Sequence, residues 1–211
     1  MTQQVLLNDL ERDALTELVN IGVSRAAANL RKMVDEQVLL SVPAVEIMTR
    51  GGAATLIGER ESGELVAVRQ DFEGVFSGRA LLIFPQSNSM ALVRAVTRDQ
   101  LSPDDAAAME DEALAETGNV VLNSCLATMA NMLKRPLTMS LPEVLRGDGT
   151  RLFDLAPSAP DGGIVLFLYI NFAINDHNIR GYVAMLMDLP SLQALKVLIA
   201  DFIERVVGGT V

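Results

Sequence analysis

Apolar residues recur at helical spacing in two long segments of the chain. In the first segment, from about residue 9 to 34, they include Leu15, Leu18 and Leu30. The second segment begins at Met109 at the latest and runs to about residue 133. Because residues three and four positions apart share one face of an α-helix, both segments are predicted to be amphipathic helices that bury one side.

Shorter apolar runs between and after these helices indicate strands. Each long helix is followed by a run rich in β-branched and aliphatic residues that contains a proline, which predicts a strand at the edge of a sheet. A hairpin and another helix follow in each half. The predicted elements are edge strands 38–48 and 137–144, hairpins 64–84 and 163–187, helices 90–96 and 189–207, and loops 50–54 and 146–161.

The same order of elements in the two halves corresponds to an internal repeat. Residues 13–45 aligned without a gap on residues 112–144 give nine identities at an offset of 99 residues. Duplication of a unit of this size is typical of two lobes related by a pseudo-twofold axis. We therefore expect an α+β fold in which an internally duplicated helix-strand-hairpin-helix unit forms an antiparallel sheet packed with helices. One domain, 1–211, would contain two repeats of about 1–100 and 101–211.

Within the repeat, a four-point motif recurs with unchanged spacing: an acidic residue, three residues, Glu, two residues, Asn, twenty-two residues, Pro. The copies are Asp13, Glu17, Asn20 and Pro43, then Glu112, Glu116, Asn119 and Pro142. The acid, Glu and Asn fall within an arc of about 60° on a helix, because each residue advances by about 100°. Such a stripe alone is typical of a solvated helix face. The repeated Asn, a mediocre helix former, favours a functional interpretation.

Composition narrows the classes of function. The 211 residues carry a formal net charge of -10, which argues against nucleic acid or an anionic membrane as the main partner. The single cysteine excludes an internal disulfide, and the N-terminal residues resemble no signal peptide. The longest apolar run is too short to cross a bilayer as a helix. We expect a cytoplasmic protein.

Residue types that often carry catalysis are scarce. His177 is the single histidine and falls in a predicted hairpin turn, whereas a zinc site or a Ser-His-Asp triad requires more ligands or partners. Cys125 is expected to be a small buried hydrophobe. The acidic pairs near residues 104 and 111 fall where a helix start attracts acids in any case. The remaining candidates are Glu and Asn: an amide can orient a water, and a carboxylate can bind a cation on a partner.

The duplicated motif resembles the signature of the CheC/CheX/FliY phosphatases of bacterial chemotaxis. Asn20-Ile21-Gly22 and Gly118-Asn119 are also similar to the family's usual sequence. The resemblance covers nearly the whole chain, and two copies in about 200 residues are most similar to the CheC branch. The chain departs from the pattern at Glu112, where Asp or Ser is usual, and at Val19, where Gly is frequent.

The resemblance implies a phosphatase that hydrolyses the aspartyl phosphate of a CheY-like response regulator. By the family's pattern, Asn20 and Asn119 orient the attacking water, and Glu17 and Glu116 bind the regulator's active-site lysine. No cofactor of the chain's own is implied; Mg²⁺ is expected on the regulator. The alternative is an adaptor that binds a regulator, or the deamidase CheD, without turnover. A metal-dependent hydrolase is a third class, disfavoured by the lack of ligands.

Overall fold

The structure is a computed structural model that describes residues 7–35, 37–42, 45–98, 100–154, 164–174 and 177–209, with the backbone alone for 171–174 and 177–180. The helices in these residues are α1 (Asp9–Val34), α2 (Arg50–Arg60), α3 (Ser89–Val96), α4 (Pro103–Ala108), α5 (Glu110–Met132), α6 (Gly149–Asp154) and α7 (Leu189–Val207). The strands are β1 (Val38–Ser41), β2 (Val45–Thr49), β3 (Leu65–Gly74), β4 (Gly78–Pro85), β5 (Leu137–Met139), β6 (Glu143–Gly147), β7 (Ile164–Ile174) and β8 (His177–Met187).

The first long helix has the bounds that its apolar periodicity predicts. Asn8 caps α1: its side chain accepts a hydrogen bond from the Glu11 N–H, and the Glu11 carboxylate accepts one from the Asn8 N–H, both at 2.8 Å. This capping box satisfies two backbone donors that a helix start otherwise leaves unpaired. Glu11 is buried and also pairs with Lys196 of α7 at 3.3 Å. The start of the first motif helix is therefore tied to the last helix.

One antiparallel sheet contains strands from both halves of the chain. Its order is β1-β7-β8-β4-β3-β5, with β2 also paired to β7 and β6 also paired to β3. The proline-associated strands thus lie at the two edges, as predicted. Each edge pairs with the hairpin of the other half, a reciprocal arrangement that is consistent with the predicted duplication. The mixed α+β class with an antiparallel sheet is confirmed.

Both faces of the sheet are covered by helices. Alternate residues of β3, including Val66 and Val68, pack beneath α1, α3, α5 and α7, whereas Leu65 and Ala67 pack against α2 and α6 on the other face. Because side chains alternate across a strand, a strand buried on both faces is continuously apolar. This explains the long apolar runs in β4, β7 and β8. Among the described residues, no helix is long and apolar enough to cross a membrane.

Each predicted edge strand is in fact two short strands. Residues 38–48 form β1 and β2, and the second run forms β5 and β6. Pro142 lies between β5 and β6 and not inside a strand; a proline has no N–H to contribute to the ladder, so pairing stops there. Pro43 lies outside the described residues.

Two predicted loops are wrong, because they contain helices. Residues 50–54 begin α2, where the Thr49 hydroxyl caps the helix by accepting from the Gly52 N–H at 3.1 Å. Ala53 and Ile57, four residues apart, are fully buried in the second core, the apolar cluster between the sheet and helices α2 and α6. Tertiary packing therefore outweighs the low helix propensity of Gly51 and Gly52. Residues 149–154 of the second loop form α6, and 155–161 lie outside the described residues. Among the described residues, the first half therefore has one α-helix more than predicted, and the second half has two more, because α4 is separate from α5.

Both predicted hairpins are present. In the first hairpin, β3 ends at Gly74 and β4 begins at Gly78. In the second hairpin, β7 ends at Ile174 and β8 begins at His177; the turn itself and the His177 side chain lie outside the described residues.

Helices α1 and α5 cross in close contact. A Cβ on Gly22 would lie 2.9 Å from the Cys125 Cα, closer than real Cβ atoms approach. On either side of this contact, the Arg25 guanidinium donates to the Thr128 hydroxyl at 3.3 Å, and the Asn29 amide donates to the Ser124 hydroxyl at 3.3 Å. At the 99-residue offset these two contacts are counterparts. The helices thus pack on each other through equivalent faces.

Gly118 lets α5 lie directly on the sheet. A Cβ at this position would lie 2.4 Å from the Val68 Cβ, so any larger side chain would force α5 away from β3. The matching residue of α1 is Val19, which is buried and has a side chain to accommodate. This difference brings the second motif nearer to the strand beneath it than a side chain at Gly118 would allow.

Burial should make the Cys125 thiol inert. The thiol is buried against α1, and desolvation raises its pKa to about 12, so it stays protonated at pH 8. Ellman's reagent at pH 8 should modify less than about 10% of the thiol in the native chain within minutes, and all of it in guanidinium chloride. Fast labelling of the native chain would contradict the burial.

Gly118→Ala should destabilise the fold by about 1–3 kcal/mol, because the added methyl overlaps Val68. The matched control is Gly58→Ala, an exposed position in α2 where a Cβ meets nothing within 4 Å; it should stabilise by roughly 0.5–1 kcal/mol through helix propensity. Denaturant unfolding of both variants measures the difference. Equal stabilities of Gly118→Ala and the parent would show that the close approach is not required.

Candidate functional site

The first motif lies on the surface of α1 and is open to a partner. Asp13 and Glu17 are exposed and Asn20 is half-buried, in accordance with their positions along one helix face. Within the part of the chain that the structure describes, the Glu17 carboxylate and the Asn20 amide make no hydrogen bond or ion pair. Both groups are therefore available to another molecule.

The second motif has the same graded exposure on α5. Glu112 and Glu116 are exposed, and Asn119 is half-buried. The four residues predicted as the site thus lie on two surfaces, one per helix, and neither glutamate is buried against the core. The catalytic and binding roles of Glu17, Asn20, Glu116 and Asn119 remain predictions.

The two asparagines differ in their surroundings. The Asn119 Oδ1 accepts a hydrogen bond from the Gln70 Nε2 at 3.1 Å and another from the Asn123 Nδ2 at 2.6 Å. Gln70 lies on β3 and is only 1% exposed. Its Nε2 also donates to the Ser140 carbonyl at 2.9 Å, just before Pro142. A network of amides therefore joins the second motif helix to β3 and to the edge of the sheet.

This network depends on the sheet register and on Gly118. Ser140 stands beside β3, where its backbone N–H donates to the Asp71 carbonyl and its hydroxyl accepts from the Asp71 N–H, both at 2.9 Å. Gly118 allows α5 to approach β3, so Asn119 comes within hydrogen-bond distance of Gln70. Residues 49 positions apart in sequence meet for this reason.

Ion pairs hold the start of α5 to the neighbouring strand. Arg146 of β6 pairs with Asp111 at 2.5 Å and with Glu110 at 3.4 Å. Hydrogen bonding to Asp111 raises the pKa of Arg146, with partial burial opposing it. The acids at the start of α5 are thus tied to Arg146, whereas Glu112 and Glu116 make no ion pair within the described residues.

Sequence reasoning missed Gln70 and Asn123. The available signal for Gln70 was a polar residue at an inward position of an apolar strand, between Val68 and Phe72, which pack on the same core. Asn123 lies four residues after Asn119, so the two share a helix face. No group of three or more His, Cys, Asp and Glu side chains suited to a metal ion occurs among the described residues.

The chain has distant sequence relatives. No protein-family model matches it. The flagellar motor switch phosphatase FliY of Bacillus subtilis (strain 168) is 24% identical over 140 residues, which cover 65% of this chain and 36% of FliY. The CheY-P phosphatase CheC of the same organism is 23% identical over 144 residues, which cover 65% of this chain and 67% of CheC. The chain thus spans about a third of the length of FliY and two thirds of that of CheC.

Solved structures share the fold over most of the chain. Thermotoga maritima FliY has a TM-score of 0.73 at 15% identity, and the match covers 94% of this chain and 100% of that one. A chain of the FliG-FliM complex from H. pylori gives 0.65 at 10% identity, covering 90% and 100%. A chain of the CheX-CheY-BeF3-Mg²⁺ complex from Borrelia burgdorferi gives 0.51 at 12% identity, covering 82% and 99%. At these identities the likeness shows a common fold.

The sequence relatives, the fold and the duplicated motif agree with one another. FliY and CheC match at nearly equal identity, so these values do not separate the branches of the family. The predicted resemblance to the CheC/CheX/FliY family is confirmed by these relatives and by the shared fold.

Proposed function

We propose that this protein is a phosphatase that hydrolyses the aspartyl phosphate of a CheY-like response regulator in chemotaxis signalling. The observation that supports it most is the repeated surface arrangement: an exposed glutamate and a half-buried asparagine one turn later, on both α1 and α5. The relatives CheC and FliY are named phosphatases, and the former acts on CheY-P.

Asn20 and Asn119 supply the group that positions water. In hydrolysis, a water oxygen forms a bond to phosphorus as the bond to the aspartyl oxygen breaks, which releases phosphate and regenerates the carboxylate. An acyl phosphate is already reactive, so holding the water in line with the leaving oxygen provides much of the acceleration. An asparagine amide suits this task, because it offers hydrogen-bond donors to the water oxygen without needing to ionise. The Mg²⁺ that neutralises the phosphoryl charge would be held by the regulator.

Glu17 and Glu116 supply the group that binds the partner. Both carboxylates are exposed and have no ion pair among the described residues, so binding breaks no internal contact. A lysine ammonium of the regulator would form a charge-assisted hydrogen bond to each, stronger than a neutral one. The CheX-CheY complex, whose chain shares this fold, supports a CheY-like partner. CheD is the second partner that we propose for the same scaffold.

A second candidate function is a binding scaffold without turnover. The likeness to a chain of the FliG-FliM complex favours it, because that assembly is formed by protein-protein contacts on a similar fold. A single measurement distinguishes the two functions: the rate at which a phosphorylated receiver domain loses phosphate, with and without this protein. Acceleration by a catalytic amount of the protein supports the phosphatase, and binding without acceleration supports the scaffold.

Asn20→Ala combined with Asn119→Ala should abolish the acceleration while the fold remains intact. Loss of a water-orienting group typically costs a few kcal/mol in the barrier, on the order of a hundredfold in rate or more. The control is Asn131→Ala, which removes an exposed asparagine from α5 outside the motif. Wild-type turnover in the Asn20 and Asn119 double variant would rule out these amides as the catalytic groups.

Glu17→Gln combined with Glu116→Gln should raise KM for the phosphorylated regulator more than it lowers kcat. A bond to the regulator's lysine forms in the bound ground state and persists in the transition state, so its loss weakens both equally. The defect should be largest at low salt, where the wild-type attraction is least screened. Glu59→Gln with Glu64→Gln removes the same charge outside the motifs and controls for net charge. A loss of kcat at unchanged KM would instead assign the glutamates to the chemical step.

A further inference from the structure

Gln70 is a buried polar residue in a place where an apolar one would pack. It lies on β3 between Val68 and Phe72, both part of the core beneath α1 and α5, and it is 1% exposed. Its Oε1 has no hydrogen-bond partner among the described residues. A buried acceptor without a partner lowers the stability of the fold. A purely structural role of Gln70 does not explain why this destabilising oxygen is present. The hydrogen bonds of the Gln70 Nε2 indicate a different role.

Gln70 and Asn123 together use the acceptor capacity of the Asn119 amide oxygen. An amide oxygen has two lone pairs, and the Asn119 Oδ1 already accepts from Gln70 at 3.1 Å and from Asn123 at 2.6 Å. Two donors at this point favour the orientation that places the Asn119 oxygen toward them. The reversed amide would put its NH2 group against two other N–H donors. The Asn119 nitrogen, which has no partner within the described residues, remains available to an incoming molecule.

We propose that Gln70, assisted by Asn123, is a positioning residue that holds the Asn119 amide with its nitrogen available to the phosphorylated regulator. This inference rests on the proposed phosphatase function. The N–H donors then face groups that accept: the oxygen of the attacking water or the phosphoryl oxygens. Holding the amide in one orientation removes the conformational cost of selecting it at each encounter.

Among the described residues, the first motif has none of these parts. At the 99-residue offset, Ser24 replaces Asn123 and is exposed, and Val19 replaces Gly118. The described side chains that β7 presents to the same core, Leu166, Leu168 and Ile170, are all apolar. No described residue fixes the orientation of the Asn20 amide. The two copies of the motif are therefore unequal, and the difference lies outside the motif itself.

The test isolates each site before removing the donor. In an Asn20→Ala background only the second motif has its amide, and in an Asn119→Ala background only the first does. Gln70→Met is nearly isosteric but has no N–H. In the Asn20→Ala background it should lower kcat about threefold to tenfold at nearly unchanged KM, the loss expected for one hydrogen bond. The same substitution in the Asn119→Ala background is the matched control, expected to change kcat by less than about twofold, since no amide there depends on Gln70.

Two outcomes of these kinetic measurements would contradict the proposal. Equal losses in both backgrounds would show that Gln70 acts on the fold as a whole, and a rise in kcat would show that its contact restrains Asn119 unproductively. If Gln70→Met fails to fold, Asn123→Ala removes the other donor from a half-buried position. It should lower kcat in the Asn20→Ala background alone.

A measurement without turnover separates this inference from the proposed function. In ¹⁵N relaxation of the side-chain amides, assigned from the signals lost in Asn20→Ala and Asn119→Ala, the Asn119 amide should be ordered and the Asn20 amide mobile. Gln70→Met should mobilise the Asn119 amide. If the parent shows both amides equally mobile, the positioning proposal fails even if the protein is a phosphatase. If the Asn119 amide is ordered but the Asn20→Ala variant has no activity, the second motif's proposed chemistry fails instead.

Discussion

Helices α1 and α5 cover one face of the sheet, and the apolar stripe of each determines which of its residues face solvent. Leu15 and Leu18 of α1, and Leu114 and Val121 of α5, are fully buried there. On a helix, burial of one face presents the opposite face to water at a fixed angle. The glutamates of both motifs are exposed for this reason, and the asparagines lie at the boundary between the two faces. A partner can thus contact the exposed glutamate directly, and it can contact the half-buried asparagine at the edge of the exposed face.

Two glycines determine how closely these helices pack, and they act on different neighbours. Gly22 admits the backbone of α5 near Cys125, whereas Gly118 admits the side chain of Val68 from the sheet. The first contact joins the two motif helices to each other. The second brings a motif asparagine to a buried amide. A duplicated framework can therefore hold two sites of the same composition in unlike surroundings.

Chemistry on this scaffold is limited by what the side chains can do without a partner. The candidate groups are an amide and a carboxylate, and neither is activated by a neighbouring base or, within the described residues, by a cluster of metal ligands. The proposed hydrolysis of a reactive acyl phosphate, whose cation the partner would carry, suits such a site. The proposed alternative, protein binding without turnover, also requires only such groups.

Local sequence determined the long helices, the spacing of Glu17, Asn20, Glu116 and Asn119 on them, and the placement of the proline-associated strands at the sheet edges. Each of these follows from periodicity or from the missing N–H of proline, which neighbouring residues encode. The sequence alone did not predict α2 and α6, since burial of Ala53, Ile57, Leu152 and Phe153 on the second core outweighs their glycine-rich surroundings. Nor did it pair Gln70 with Asn119. That contact joins residues 49 positions apart, and only the sheet register and the close approach of α5 at Gly118 bring them together.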